Sequence, residues 1–379
     1  MRYLRSFAAA TTVAALAGGA IPAAMPTTLR AQDRPGGGVS LSPDPSQPPN
    51  RQGSRGANFL QIGIGARGNA MAGAVASIID GPTALYWNPA GIAASEQFSV
   101  GASRQMLYEG LDIAQNFIAV TMPVLGGVAG ASFNSLSSGD IERTVEGLPE
   151  GDPVVGTTYN WNSTAIGLSY ARRLTDRLDV GATGKYVSDG MTDAKLSWFA
   201  LDMGTQFRTG LYGLVVGASL QNVGASARAT GSRVRATVNA PDFSEQLTRV
   251  DLFTRETELP TLFRFSIGSD LYGRAASLLG AGNGQHTLSL DVNFSDAIDT
   301  DLQTAFGGEY GFRNIVFARA GKRFYNDERA VSGTRGMFGL AGGLGLRLPT
   351  RGRAMRFDYS YTSLGELGGT QVFSFEFGK

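Results

Sequence analysis

The sequence predicts an all-β membrane protein, a 14-stranded antiparallel outer-membrane β-barrel with a short N-terminal helical plug. Three observations predict it. From Glu96 to Lys379 apolar residues recur with a period of two; fourteen such runs can be counted; and the connections between them alternate in length. An even strand number, short periplasmic turns and longer external loops are what a single-chain bacterial barrel needs.

The chain opens on MRYLRSFAAATTVAALAGGA, where Arg2 and Arg5 precede an apolar run from Phe7 to about Ala20, with small-residue cleavage sites at Ala20, Ala24 and Ala31. That pattern predicts a signal peptide over residues 1–31. A spanning helix needs about 20 uninterrupted apolar residues, and Thr11, Thr12, Gly18 and Gly19 dilute this run. The sequence has no cysteine, so neither a lipid-bearing cysteine nor a disulfide can hold the exported chain. Cleavage after Ala31 removes Arg2, Arg5 and Arg30, which leaves 30 basic against 32 acidic residues. So balanced a charge argues against a nucleic-acid partner. Residues 32–57 are rich in Pro, Gly and Ser; they can bury too little apolar surface to order themselves and are expected as a flexible periplasmic lead.

Residues 58–95 are expected to form the plug. The run ARGNAMAGAVASIID, residues 66–80, has the alanine content of a helix and is stopped by Asp80-Gly81-Pro82. A second short helix should start in ALYWNPAGIAAS, residues 84–95, with Asn88 as its N-cap and Pro89 at the first helical position. A unit this small and this rich in alanine holds no core of its own, so it must pack inside something larger.

The barrel occupies 96–379. The runs fall near 96–105, 113–123, 127–137, 163–173, 177–187, 195–208, 211–222, 261–272, 286–296, 301–311, 315–325, 336–348, 354–363 and 369–378. In HTLSLDVNF, for instance, Leu288, Leu290, Val292 and Phe294 alternate with Thr287, Ser289, Asp291 and Asn293. With both ends periplasmic, the inner turns are short, apart from 273–285, and two outer connections, 138–162 and 223–260, are long. A soluble sandwich gives no reason for that rhythm. Gly167, Gly181, Gly217, Gly268 and Gly307 fall on the polar faces, where a narrow interior or a plug needs close backbone approach. Trp161, Trp198, Tyr359 and Phe373 are candidates for interfacial girdles or for packing within strands.

Sites that resemble catalytic or cofactor centres do not hold up. GIGARG, residues 63–68, fits the dinucleotide fingerprint G-x-G-x-x-G, yet the chain beyond it runs into Pro82, Asn88-Pro89 and antiparallel alternation, not a parallel strand. A tight turn in the plug explains those glycines better. His286 is the sole histidine, so a zinc site and a nucleophile triad both lack members. Asp296, Asp299 and Asp301 lack the spacing of a calcium loop. The expectation is a protein that is not an enzyme and uses no cofactor or metal.

GARGNAMAGAVASIIDGPTALYWNPAGIA, residues 65–93, resembles the N-terminal segment of the FadL-like outer-membrane proteins, most closely their PorV/PorQ branch. The resemblance implies a plug inside a 14-stranded barrel, with Asp80, Tyr86, Trp87, Asn88, Pro89 and Gly91 as the plug motif. For the PorV/PorQ branch it implies an accessory or substrate-shuttling part in type IX secretion, binding exported proteins or other secretion-system components on the extracellular side. For FadL itself it implies a channel for small hydrophobic molecules. Both place the chain in the outer membrane, among its lipids.

Overall fold

The computed structural model describes residues 53–144, 153–239, 247–252, 254–325, 338–350 and 352–378; the expected signal peptide and most of the lead lie outside the described residues. Fourteen strands close into one barrel in which every pair of neighbours is antiparallel. They are β1 (Ser99–Leu107), β2 (Ile113–Val124), β3 (Gly127–Ser137), β6 (Asn162–Thr175), β7 (Leu178–Met191), β8 (Ala194–Arg208) and β9 (Leu214–Gly224), then β12 (Leu262–Tyr272), β13 (His286–Ala297), β14 (Gln303–Phe312), β15 (Val316–Tyr325), β16 (Leu340–Thr350), β17 (Arg353–Ser363) and β18 (Gly369–Phe377). β18 pairs with β1 and closes the ring. The two long connections each carry a hairpin outside the barrel: β4 (Ile141–Thr144) with β5 (Pro153–Tyr159), and β10 (Arg235–Asn239) with β11 (Leu247–Asp251).

All fourteen alternating runs are strands, shifted by a few residues where turn geometry intervenes. β9 begins at Leu214 because Tyr212 and Gly213 hold φ values of 51° and 62°, which no strand accepts. The alternation is inside out for a water-soluble protein. Leu168, Phe199 and Leu344 point outward and are 69%, 78% and 63% exposed, whereas Asp179, Asp202, Arg264, Asp291 and Arg319 point inward and are buried. Lipid reverses the usual preference: an apolar outer face costs nothing there, and a closed ring leaves no backbone edge unpaired. Among the described residues no helix is long and apolar enough to cross a membrane. The strands, nine residues in β1 to fifteen in β8, match the roughly 9–11 residues that a tilted strand needs, some with length to spare.

The chain is an outer-membrane β-barrel, and the connections orient it. Turns such as Leu125-Gly126 and Asp176-Arg177 cluster at the end where β18 finishes, and the two hairpins extend from the other end. The rhythm has two exceptions: only Thr192-Asp193 join β7 to β8 on the long-loop side, and residues 273–285 make a long connection between β12 and β13 on the other. A cysteine introduced at Ala229 is expected to react with an impermeant maleimide on whole cells, and one at Asp176 only after permeabilisation. The reverse labelling would invert the orientation.

Tyr359 and Phe373 lie outward with their rings 5.0 Å apart, in keeping with the membrane-facing wall. Trp198 is instead turned inward and 2% exposed, so it belongs to a core and not to a girdle. Its indole N–H donates to the Thr257 carbonyl at 2.9 Å, which satisfies its polar atom away from the interface.

Candidate functional site

Residues 57–95 run down the lumen and touch strands all around the ring. The segment enters at the long-loop end: Arg55 pairs with Glu258, the Gly56 N–H donates to the Glu258 carbonyl at 3.0 Å, and the Ala57 N–H donates to Asp189 at 2.9 Å. Gly53–Ala57, expected as the last residues of a periplasmic lead, therefore lie at the extracellular end. From there the chain descends and leaves at Ser95 into β1.

The alanine-rich run is not one helix. Only Ala66–Ala70 is helical, because Ala72 and Gly73 adopt φ of 55° and 88° and the backbone continues in tight turns to Ile78. A second short helix, Ala84–Trp87, is followed by a 3₁₀ turn, Pro89–Ala94. Asn88 caps that turn as expected: its Oδ1 accepts from the Ala90 N–H at 3.2 Å. Its Nδ2 meanwhile donates to the Ala76 and Thr205 carbonyls, both at 2.9 Å, so one fully buried side chain ties the turn to the segment and to β8.

Trp87 is the centre of the packing. It is 2% exposed, its indole N–H donates to the Ile64 carbonyl at 2.8 Å, and Tyr86 meets it edge to face with ring centres 5.0 Å apart. The GIGARG glycines make its seat. A Cβ on Gly68 would come 2.6 Å from the indole nitrogen, and one on Gly63 would come 2.9 Å from the far edge of the ring. These glycines are spaced to admit an indole, not a dinucleotide. Arg264 of β12 lies over both aromatic rings at 5.1–5.2 Å and donates to Gln221 and to the Tyr86 hydroxyl. Gln221 in turn donates to the Tyr86 carbonyl at 2.6 Å. The Ile64, Met71, Val75, Ile79, Leu85 and Ile92 side chains complete this core against Phe117, Ala119 and Val128 of the wall.

The wall gives way where the segment's backbone passes. A Cβ on Gly181 would sit 2.5 Å from the Pro89 carbonyl carbon, and one on Gly217 2.6 Å from the Ala76 carbonyl oxygen. Gly268 and Gly307 face the segment in the same way, while the atoms nearest Gly167 belong to the strand side chains Ser132, Thr183 and Lys185. Of the motif residues, Pro89 and Gly91 are buried with Asn88; Gly91 packs on Ala84 and Ile79. Asp80 lies apart, near the periplasmic end.

There Asp80 accepts from Arg67 at 2.9 Å, and Arg67 also grips Glu309 of β14 through two hydrogen bonds of 2.9 and 3.0 Å. Glu309 accepts from Arg319 at 2.6 Å, and Asp358 accepts from Arg319 at 2.8 Å and pairs with Arg356 at 2.9 Å. Three guanidinium groups and three carboxylates are thus linked in one network. Sequence reasoning missed Arg67, Arg264 and Glu309. The available signal was a charged residue at an inward position, as Arg264 is in FRFSIG.

Two cavities flank the helix Ala66–Ala70. The outer one, about 200 Å³, is lined by Asn69, Gln105, Tyr108 and Arg323; the inner one, about 230 Å³, by Arg67, Asp80, Glu309 and Arg356. Arg67 and Asn69 face opposite cavities, so this helix is the partition between them. At the extracellular mouth Phe59 and Leu60 form an apolar lid with Val187, Trp198 and Leu259. Among the described residues no three His, Cys, Asp or Glu side chains are placed to hold a metal ion. Asp299, from the acidic loop, is buried and accepts from Gln61 at 3.1 Å.

Solved structures of transport proteins share this fold. The toluene transporter TbuX of Ralstonia pickettii superposes with a TM-score of 0.51 at 12% identity, over 83% of this chain and 97% of that one. The monoaromatic hydrocarbon channel CymD gives 0.52 at 12%, over 84% and 97%. The toluene transporter TodX of Pseudomonas putida gives 0.50 at 11%, over 83% and 96%. At identities this low the superpositions show the fold alone. No family model matches the chain, and no curated protein does. The PorV/PorQ likeness therefore rests on residues 65–93 alone.

Proposed function

We propose that the chain carries small hydrophobic molecules across the outer membrane and that residues 58–95 are its plug. The observation that carries this reading is the apolar mouth: a barrel of the hydrocarbon-channel fold has Phe59 and Leu60 of its inner segment packed on Trp198 and Leu259 at the extracellular end. A hydrophobic solute arriving from outside finds there the surface that Phe59 and Leu60 occupy, and it binds by replacing them. Displacing the lid pulls on the segment that continues into the partition helix Ala66–Ala70. Shifting that helix joins the cavities on either side of it.

The test is uptake of radiolabelled toluene into vesicles holding the purified barrel. Wild-type protein is expected to exceed protein-free vesicles, and Phe59→Asp to raise uptake about tenfold, because the lid then competes for the apolar surface without a buried phenyl contact of about 1.4 kcal/mol or more. Uptake by wild type no faster than by empty vesicles would defeat the proposal.

A second reading comes from the likeness of residues 65–93 to the PorV/PorQ branch: the hairpins β4–β5 and β10–β11, standing beyond the barrel, bind exported proteins for type IX secretion. The same preparation separates the two readings. Absence of toluene uptake, together with secreted proteins retained on the purified barrel only when the hairpins are intact, favours secretion.

A further inference from the structure

β1 sends Val100, Ala102, Arg104 and Met106 toward lipid, and Arg104 is the charged member of that row. Its neighbours across the ladder bring no carboxylate: Phe373 of β18 stands on one side and Asn116 of β2 on the other. Arg104 is exposed and makes no ion pair, hydrogen bond or ring contact among the described residues. An arginine on the lipid-facing wall of a barrel is costly, and most so near the midplane. It needs an anion that the protein does not supply.

The wall beside it is concave. A groove of about 730 Å³ is lined by Arg104 and Asn116 together with Ile118, Leu344, Phe357 and Phe373. The four apolar side chains are each 46–63% exposed and form a surface suited to hydrocarbon. Arg104 lies four residues before Tyr108, where β1 gives way to an extracellular connection; at about 3.3 Å per residue that is roughly 13 Å along the strand. The guanidinium is therefore in the outer leaflet's half of the wall, and its long stem lets it reach toward the headgroups.

We propose that this groove binds a phosphate-bearing acyl lipid of the outer leaflet. Arg104 takes the phosphate through the paired donors of its guanidinium, Asn116 adds an amide N–H, and the aromatic and leucine side chains receive the acyl chains. The assignment is independent of what passes through the lumen, because the groove is on the outside of the wall.

Native mass spectrometry of the detergent-purified barrel tests it, with bis-phosphorylated lipid A as probe and diacylglycerol as the uncharged acyl control. Wild type is expected to retain lipid A and to release diacylglycerol. Arg104→Gln should lower the lipid A-bound fraction roughly tenfold, as loss of a charge-assisted bidentate contact implies, with heat-modifiable mobility unchanged. Should Arg104→Gln fail to assemble, Asn116→Leu gives the same comparison, with a smaller loss expected. Equal retention of lipid A by wild type and the assembled variant would overturn the proposal. Equal retention of diacylglycerol would do so too, and so would crosslinking of Leu344→Cys to a second copy without bound lipid.

Discussion

Replacing Trp87 by alanine is expected to leave the barrel assembled and to loosen the segment within it. The indole is held on four sides: by the Gly63 and Gly68 backbone, by the Ile64 carbonyl, by the Tyr86 ring and by the Arg264 guanidinium. Alanine fills none of that space, and glycines cannot reach in to close it. Truncating a buried tryptophan costs about 3–5 kcal/mol, at the upper end where the site cannot collapse. Arg264 also loses one of the two rings beneath it while its bond to Gln221 remains. None of this touches the ladders that close the ring. Trp87→Ala should therefore migrate as a heat-modifiable barrel of normal yield but show raised conductance in planar bilayers and faster swelling of liposomes. If the variant instead fails to reach the membrane, residues 58–95 belong to the folding core of the barrel and their role as a plug is lost.

A milder change at the neighbouring residue serves as a calibration. Asn88→Ala removes the acceptor for the Ala90 N–H and the two donations to Ala76 and Thr205. A cap alone accounts for about 1 kcal/mol, and each lost donation adds about 0.5–1.5 kcal/mol, since the Ala76 carbonyl keeps Gln206 at 3.3 Å. The conductance of Asn88→Ala should fall between wild type and Trp87→Ala; a value above Trp87→Ala would show that the polar ties, not the indole, hold the segment.

Strand positions were legible in the sequence because a strand declares itself locally: Leu288 to Phe294 alternate whatever lies across from them. The Asn88-Pro89 turn was legible for the same reason. The helix expected in residues 66–80 covers only Ala66–Ala70, since alanine content says nothing about a wall that forces Ala72 and Gly73 into left-handed turns. Contacts between distant residues were beyond reach. Gly63 and Gly68 read as a turn, and only the fold shows that they receive an indole about twenty residues further on. Arg67 is far along the chain from Glu309 and Arg319, and the register of β14 with β15 is what brings the latter two side by side. The same limit explains Gly53–Ala57: composition marks a polar lead but not the end of the barrel at which it enters.

Replacing Glu309 by glutamine is expected to have the second large effect, through charge and not through volume. The side chain keeps its shape, yet the carboxylate that Arg67 and Arg319 share is gone. Arg319 retains Asp358 at 2.8 Å and Arg67 retains Asp80 at 2.9 Å, so one buried guanidinium group and two half-buried ones are left with two of their three carboxylates. Removing one partner from a buried ion pair costs about 3–5 kcal/mol, because the remaining charge stays out of water without compensation. Arg67 is the member of the network that can move. Arg319 is anchored in β15, whereas Arg67 belongs to the five-residue helix that divides the two cavities. The strain should therefore be relieved by displacing that helix toward the aqueous periplasmic mouth, where the guanidinium can be hydrated. Glu309→Gln is then expected to keep its heat-modifiable mobility and to conduct more than wild type, and an added Arg67→Gln should return conductance toward that of Arg67→Gln alone. Additive effects of the two substitutions would show that Arg67 and Glu309 act independently, and the partition helix would not be held by their contact.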